Sequence, residues 1–549
     1  LPMSRPVYVS IPVRAVIRGA VAAMLIGGIL FAPRADASPA SGLPAAVDQG
    51  KVTLLYDVSP PDIDPASNTF NTGDNIERNL DETLIVLDGS SLNHYRPVLA
   101  TSWTVNSDKS VYVFHLRHGV PFHTGRCCMT ADDVRYSIAR TVSANLGMSY
   151  LFARFLSKPL QQIKIRDPYT VEFDLGRSQP MFLGAIASQY AGNILDAKAL
   201  RAHATKSDPW AHNWATNHDA GTGPYVLSSW VRDQQLVLTK FGKYWGGWSG
   251  PHFSTVIERI VPEDVTRREL IERDQADITT DLTPKDYDSL KHNHAVQVVV
   301  HQTANIYYII MTEAGPLAAS AARQALSYAF PYDAMIQGVL RGYAGRAYGP
   351  LGSSVLGYDP GMFHYTTDLG KARALLAKAG VKAGTTLTFD YSVDQLGQAG
   401  LLLQAQLAQL GITLKVEHLD ESAFNAIFYG SEPASQRPNL MGYAWYPDYD
   451  DPYDASQPLI DSKAAGPNGV NGGYYHNKQV DSLLAQMQYA SGSKLISLAH
   501  KMQDITGRVD PPAIWTHQLE DVTVLKHGLK GFVFNPLTIG TYDFYALHR

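Results

Sequence analysis

Cysteine is almost absent from this sequence: its only two cysteines, Cys127 and Cys128, are neighbours in a chain of 549 residues. The disulfide framework that holds many small secreted domains together is therefore excluded. Neighbouring Cα atoms across a trans peptide lie about 3.8 Å apart, which is shorter than the roughly 4.4–6.8 Å of ordinary disulfides. We therefore interpret the pair as two small, partly buried thiols, with a vicinal disulfide or a contact to a soft metal as the alternatives.

Long apolar runs are missing beyond the first forty residues, so no later segment reaches the roughly 20 apolar residues that a membrane-spanning helix needs. Near the N-terminus, Arg14 and Arg18 precede the apolar run GAVAAMLIGGILFA, and the small-residue pattern ADA follows at 35–37. This order predicts a secretory signal peptide cleaved near Ala37, with a retained anchor as the alternative. No cysteine follows the apolar run to carry a lipid. We therefore predict an exported, periplasmic mature protein that does not span the membrane.

Basic residues are slightly outnumbered, with 46 Lys and Arg against 51 Asp and Glu, and they form no long run. Neither feature favours nucleic acid as a partner. The H-E-x-x-H, G-x-S-x-G and Walker A motifs are missing, which lowers the expectation of an enzyme. His115, His118 and His123 are close in sequence, but strand spacing does not place all three on one face. We therefore predict no metal site and no cofactor.

Alternation of residue types predicts several strands in the rest of the chain. In SVYVFHLR (Ser110–Arg117), Tyr112, Phe114 and Leu116 share one face of a period-two pattern. The same pattern predicts strands over Tyr169–Leu175 and Gln235–Phe241.

Helices are predicted between these strands. Thr130 is a favourable N-cap for the helix TADDVRYSIART, with Asp133 three residues on. Asp368 and Gly380 bound an Ala- and Leu-rich helix in a similar way. GLLLQAQLAQL, which stops at Gly411 before a strand, and NKQVDSLLAQMQYA are predicted as two more helices. This alternation predicts α/β lobes, and the chain length predicts two or three domains.

Several stretches resemble, in order, those of one protein family. DIDP at 62–65 comes first, then YRPVLATSWTVNSDKSVYVFHLRHGVPFHTG at 95–125 with TADDVRYSI after it, then GTGPYVLSSWVRDQQLVLTKFGKYW at 221–245. ARQALSYAF, KARALLAKAG, QLAQLGITL and GGYYHNKQVDSLLAQ continue the series. Together they resemble the solute-binding proteins of oligopeptide, dipeptide and nickel ABC importers, extracellular solute-binding protein family 5, over roughly residues 50–549.

The resemblance implies a two-lobed α/β fold like that of periplasmic binding proteins, of type II and the large cluster C, with an extra N-terminal subdomain and a ligand cleft between the lobes. It implies no catalysis: a monomer captures short peptides and delivers them to an ABC permease driven by ATPase subunits. The implied organisation is a signal peptide at 1–37, lobe I at 38–81, the extra subdomain at 82–216, lobe I again at 217–303, lobe II at 304–514 and a return to lobe I at 515–549.

The stretch AWYPDYDDP (444–452) concentrates aromatic and acidic residues. Trp445, Asp448, Tyr449 and Pro452 match a W-x-x-D-Y-x-x-P loop, in which the resemblance implies that the Asp pairs with the α-ammonium of a peptide. That amine is positive at neutral pH, and a hydrogen bond to a charged group contributes roughly 1.5–3 kcal/mol. Leaving either charge buried alone costs roughly 2–5 kcal/mol. Asp448 is therefore predicted to require a free N-terminus whatever the peptide side chains.

Aromatic residues are the candidates for the walls that would receive those side chains. They are Trp445 and Tyr446 of the loop, with Tyr307 and Tyr308, for which ordinary packing is the alternative.

Further candidates follow from the resemblance. Tyr449 and Asp64, the second Asp of DIDP, are candidate ligand contacts. Asp450 and Asp451 are interpreted as residues of a solvated turn that caps a helix. Oligopeptide-binding members often have an Arg shortly before the Trp, for a peptide carboxylate, whereas here the nearest is Arg437.

Two alternatives to the peptide prediction are left open. The histidines and paired cysteines motivate the first, the same fold with a nickel chelate, haem or an opine-like compound as its ligand. The second is a secreted hydrolase that uses the acid-rich loop.

Overall fold

The computed structural model describes residues 50–68 and 71–549, so the predicted signal peptide lies outside the described residues. The strands are β1 Lys51–Tyr56, β2 Ile85–Leu87, β3 Tyr95–Pro97, β4 Ala100–Val105, β5 Val111–Leu116, β6 Ile163–Asp167, β7 Thr170–Asp174, β8 Tyr225–Val231, β9 Gln235–Lys240, β10 Thr255–Ile260, β11 Ile278–Thr279, β12 Val296–Gln302, β13 Ile306–Met311, β14 Ala344–Arg346, β15 Thr386–Tyr391, β16 Thr413–His418, β17 Leu440–Trp445 and β18 Ala513–Lys526.

Helices occupy most of the connections between these strands. They are α1 Asn71–Leu80, α2 Ala131–Ala144, α3 Tyr150–Ala153, α4 Pro159–Gln162, α5 Phe182–Ala187, α6 Ala197–His203, α7 His212–Ala215, α8 Asp264–Glu272, α9 Pro284–Leu290, α10 Ser320–Ala329, α11 Leu369–Lys378, α12 Asp394–Gln409, α13 Glu421–Phe428, α14 Pro452–Ile460, α15 Lys478–Met487 and α16 Gly492–Asp504. Within residues 50–68 and 71–549, none of the helices combines the length and the apolar character that crossing a membrane requires.

Strand β18 belongs to both halves of the main sheet. Its first seven residues pair with β13 and β14, and its last seven pair with β12 and β11. We call β1, β8–β12 and Glu520–Lys526 half I, and β13–β17 and Ala513–Leu519 half II. The sheet order is β16-β15-β17-β13-β18-β11-β1-β10-β9-β8, with β12 and β14 also paired to β18.

The chain passes between the halves a second time through Thr303–Asn305, which links β12 to β13. Trp445, the last residue of β17, pairs with Ile306, the first residue of β13. The loop that follows Trp445 therefore begins beside the crossing, at the edge of half II nearest to half I.

A separate four-stranded sheet, β4-β5-β7-β6, lies between β1 and β8 in the sequence. We call β4–β7 with helices α2–α6 the small-sheet domain. Its core contains Phe114, Phe173 and Phe182, which belong to the same continuous apolar cluster as Tyr449 and Tyr453. The small-sheet domain therefore packs against the loop after β17 and the start of α14.

The elements predicted from local patterns are confirmed. Tyr112, Phe114 and Leu116 are the buried face of β5. Asp133 accepts a hydrogen bond from the backbone N–H of Thr130, which starts α2. Asp368 caps α11, and Gly380 ends that segment with a φ of +74°, in the left-handed region that glycine adopts without a Cβ clash.

The two-thiol interpretation of the cysteines is wrong. Cys127 and Cys128 form a disulfide, the vicinal alternative, on an exposed connection before α2. Spacing across a trans peptide argued against this bond, but the peptide between the two residues is cis.

Candidate functional site

The loop between β17 and α14 uses most of its carboxylates to fix its own backbone. Asp450 accepts a hydrogen bond from the backbone N–H of Leu356 at 2.5 Å. Asp451 caps α14 by accepting from the N–H of Tyr453 at 2.7 Å. The helix-cap interpretation is thus confirmed for Asp451, but that residue is buried rather than solvated.

Asp448 differs from its acidic neighbours because its side chain caps nothing. Its Oδ1 accepts a hydrogen bond from the Tyr150 hydroxyl at 2.7 Å. Its Oδ2 accepts no hydrogen bond from the described part of the chain, and the residue is only partly buried. Burial and the nearby Asp454 carboxylate hold the pKa of Asp448 above its usual range, while Tyr150 and Arg154 oppose that rise.

Asp454, in the first turn of α14, fixes the backbone of this loop. Its Oδ2 accepts hydrogen bonds from the N–H groups of Asp448 and Tyr449, at 2.9 and 3.4 Å. Its Oδ1 pairs with Nη1 of Arg154 at 3.1 Å. The same Nη1 donates to the Tyr449 hydroxyl at 2.5 Å. Asp454 therefore links the Asp448 backbone to an arginine of the small-sheet domain.

Tyr449, a predicted ligand contact, is a buried packing residue. Gly184 of α5 lies so close to its ring that an added Cβ would approach within 3.0 Å. Its hydroxyl is occupied by Arg154, so it joins the loop to the small-sheet domain.

Trp445 and Tyr446 are the more accessible aromatic residues of the loop. Tyr446 is 42% exposed, and its hydroxyl lies 2.6 Å from the hydroxyl of Tyr307. Trp445 is partly buried, and its Nε1 has no hydrogen-bond partner in the described ranges. Both side chains therefore retain contact surface at the edge of half II.

Tyr307 and Tyr308 point to opposite faces of β13, since neighbouring residues of a strand alternate. Tyr307 stacks on buried His517, with ring centroids 4.8 Å apart. Burial lowers the pKa of His517 to about 3, so the imidazole is neutral at neutral pH. Tyr308 packs against Trp515 and is only 2% exposed. The two tyrosines therefore do not form one wall.

Two carboxylates of half I act electrostatically on Tyr446. Although much of the Tyr446 side chain is exposed, desolvation of its hydroxyl raises the pKa of that group, and the negative charges of Asp281 and Asp521 add to the rise. Asp281 follows β11, and Asp521 is the second residue of the half I segment of β18. The region around Tyr446 and Asp448 is therefore electrostatically suited to a cation.

Asp64, the other predicted ligand contact, is fully buried in an ion-pair network. Its two carboxylate oxygens accept from Nη1 and Nη2 of Arg140, each at 2.6 Å, and His212 Nδ1 lies 2.8 Å from Oδ2. Arg140 and His212 hold the pKa of Asp64 well below its usual range despite burial. This geometry gives Asp64 a structural role.

The other polar residues considered from the sequence also have protein partners. Arg437 donates to the backbone carbonyls of Ile427 and Phe428, so its guanidinium holds a turn. His123 lies 2.7 Å from Asp219, and His118 stacks on Tyr169. No group of three or more His, Cys, Asp or Glu side chains suited to a metal ion occurs among residues 50–68 and 71–549.

Sequence reasoning missed Tyr150, Arg154 and Asp454. Tyr150 is 298 residues away from Asp448 along the chain, and Arg154 is 300 residues away from Asp454. No local pattern marks such contacts. Asp454 could have been suspected, because an Asp two residues after the Pro that starts a helix can accept hydrogen bonds from the preceding loop.

Comparison with known proteins defines the family to which this chain belongs. The family model described as bacterial extracellular solute-binding proteins, family 5 Middle, matches residues 94–467. The chain therefore belongs to the family 5 bacterial extracellular solute-binding proteins, a family of binding proteins rather than enzymes. The resemblance inferred from the sequence is confirmed.

Curated relatives cover most of the chain. A probable D,D-dipeptide-binding periplasmic protein of Escherichia coli K12 is 29% identical over 442 residues, which is 80% of this chain and 82% of that protein. The dipeptide-binding protein of the same organism is 26% identical over 463 residues, with 80% and 84% covered. Heme-binding protein A of Haemophilus influenzae is 25% identical over 471 residues, with 80% and 82% covered.

Solved structures support the fold. A periplasmic binding protein of Helicobacter pylori in complex with the peptide STSA has a TM-score of 0.77 at 23% identity, covering 91% of this chain and 98% of that one. A dipeptide-binding protein of Pseudoalteromonas sp. SM9913 in complex with Met-Leu has a TM-score of 0.78 at 21% identity, covering 91% and 100%. The predicted two-lobed α/β fold is confirmed.

Proposed function

We propose that this protein is the extracytoplasmic binding component of an ABC importer and captures short peptides between its lobes by their free N-terminus. The observation that carries the proposal is Asp448. One of its oxygens accepts from Tyr150, while the other has no donor among the described residues and would accept from a ligand at the edge where the two lobes meet.

Electrostatics support an amine as the group recognised. A peptide α-ammonium has a pKa of about 7.7–8.0 in water and is charged at neutral pH. Asp448 supplies the opposing charge, and Asp281 and Asp521 add negative potential near Tyr446 from the other lobe. In a closed site, a carboxylate or an ammonium that is buried without an opposite charge costs roughly 2–5 kcal/mol. Pairing the two charges avoids this penalty. The site therefore selects a free amine more strongly than any side chain.

Side-chain tolerance would come from aromatic surface and from main-chain hydrogen bonds. Trp445 and Tyr446 present accessible ring area beside Asp448, and Tyr307 supports Tyr446 through its hydroxyl. Flat rings and ordered water accept side chains of varied shape. Tyr308, Tyr449 and Asp64 would contribute through packing rather than by touching the ligand.

The proposed organisation follows the sequence boundaries. Lobe I would comprise 38–81, 217–303 and 515–549, the extra subdomain 82–216 and lobe II 304–514. The sheet pairings support crossings near 303 and within β18. Cleavage near Ala37 would release the mature protein as a monomer. That monomer would perform no catalysis and would present its ligand to a permease and its ATPase subunits.

Native mass spectrometry of the protein purified from its exported form tests the proposal, because a closed binding site can retain cellular ligand. We expect a series of bound masses that match short peptides and disappear after partial unfolding and refolding. Adding free dipeptides should then restore a bound species and raise the unfolding temperature. A single bound mass matching haem or a nickel chelate, with no response to peptides, would contradict the proposal.

A further inference from the structure

The most extensive polar contact between the small-sheet domain and lobe II is centred on α3. Tyr150 begins this single helical turn, and Arg154 is the residue that follows it. Residues four apart lie on one face of a helix. Tyr150 therefore reaches the Asp448 carboxylate, while Arg154 reaches the carboxylate that holds the Asp448 backbone.

We propose that Arg154 is a positioning residue of the ligand site, which acts through Asp454 to keep Asp448 oriented and ionised for the ligand amine. This inference rests on the proposed function. It assigns to the extra subdomain a part in ligand recognition, because Asp448 in lobe II has its hydrogen bond from Tyr150 and the ion pair behind it only when the subdomain lies against lobe II.

The hydrogen bonds specify how Arg154 acts. Nη1 of Arg154 donates to Oδ1 of Asp454, and Oδ2 of Asp454 accepts from the N–H of Asp448. The Asp454 carboxylate therefore links the Arg154 guanidinium to the backbone of the loop. The Arg154 side chain is 20% exposed and that of Asp454 is 2% exposed, so the pair is largely shielded from solvent. Shielding strengthens electrostatic interactions relative to water.

Charge is the second part of the inference. Two carboxylates close together resist ionising at the same time, and a nearby cation reverses that effect. The Asp454 charge raises the pKa of Asp448, whereas the Arg154 charge lowers it. The titratable groups that face Asp448 are Tyr150 and Arg154 at α3, Tyr190 after α5, Tyr449 in the loop and Asp454 in α14.

Two substitutions at the same ion pair should have opposite effects on the pH dependence of binding. Binding of an ammonium needs Asp448 ionised, so affinity rises as the pH passes upward through the Asp448 pKa. We call this rise in affinity with pH the acidic limb of the binding profile. Arg154→Gln removes the cation and should move this acidic limb to higher pH by about one unit, and Asp454→Asn removes the competing anion and should move it to lower pH by a similar amount. A purely structural contact would be broken by both substitutions in the same way.

The experiment is isothermal titration between pH 4 and 8, on the full folded protein, with the dipeptide that binds most tightly in a panel containing Met-Leu and D-Ala-D-Ala. Arg154→Lys retains the charge and should leave the acidic limb near its wild-type position. Arg177→Gln is the matched control, because Arg177 is also in the small-sheet domain, lies 5.1 Å from the Tyr489 ring of lobe II and is not among the groups that shift the pKa of Asp448. Should Arg154→Gln fail to fold, Asp454→Asn and Arg154→Lys still decide the question.

Opposite shifts in Arg154→Gln and Asp454→Asn, with an unchanged limb in Arg177→Gln, would support the inference. Equal losses of affinity with an unmoved limb would overturn it and leave the proposed function intact. If the wild-type protein binds neither a dipeptide nor a longer peptide at any pH, the proposed function itself is overturned, and the inference with it.

Discussion

At the scale of residues, Asp448 and Asp64 show how two acids, both predicted to contact the ligand, lie in different surroundings. Asp64 is fully buried, and its carboxylate is ion-paired with Arg140 and hydrogen-bonded to His212, so both of its oxygens already have partners. Asp448 accepts a hydrogen bond from the Tyr150 hydroxyl on one oxygen, and no residue of 50–68 or 71–549 donates to the other. The sequence could not separate them, because the partners of Asp64 are 76 and 148 residues away along the chain.

Asp64→Asn should destabilise the fold without changing ligand selectivity. It leaves Arg140 charged, buried and unpaired, and breaking a buried pair costs about 3–5 kcal/mol. The native pKa of Asp64 is depressed, so its contribution is complete above the unfolded value of about 3.9 and is lost only as the pH falls toward the native pKa.

Urea unfolding at pH 7 measures this effect. Asp233→Asn, at an exposed position, is the control and should change the unfolding free energy by less than about 0.5 kcal/mol. If Asp64→Asn changes the unfolding free energy as little as the control does and also abolishes dipeptide binding, Asp64 contacts the ligand and its structural role is wrong.

At the scale of elements, local signals were sufficient wherever a cap or an alternating pattern lay within a few residues. Asp368 and Gly380 fix the ends of α11, and the buried face of β5 follows from its own alternation. The dual pairing of β18 could not be predicted, because its partners β12 and β13 are about 200 residues earlier and nothing inside the strand marks where it passes from one sheet half to the other.

The cap of α11 provides a prediction at this scale. Asp368 accepts a hydrogen bond from the backbone N–H of Lys371 at 2.9 Å. Asp368→Ala should lower the free energy of unfolding by about 1 kcal/mol, whereas Asp368→Asn keeps a capping oxygen and should cost only a few tenths. Chemical denaturation of both variants checks this, and equal stabilities for Ala and Asn would contradict the cap.

At the scale of the whole molecule, the proposed site would depend on the meeting of three parts. The loop after β17 supplies Asp448, the small-sheet domain supplies Tyr150 and Arg154, and half I supplies the negative potential of Asp281 and Asp521. The ordered series of motifs predicted the class of protein, which the family match confirms. One loop predicted Asp448 as the ligand-binding acid, and that stays a prediction. The sequence could not predict which part of the fold would approach that loop, because this depends on how the domains pack.

The central claim is that Asp448 binds the ligand amine, and isothermal titration of a dipeptide and its N-acetylated form tests it most directly. In the wild-type protein, acetylation removes the charge and should weaken binding by about 10- to 150-fold, the equivalent of roughly 1.5–3 kcal/mol. Asp448→Asn should weaken binding of the free dipeptide to a similar degree, and acetylation should then have little further effect. If Asp448→Asn binds the free dipeptide as tightly as the wild type, or if acetylation weakens binding equally in both proteins, the amine is recognised elsewhere and the account is wrong.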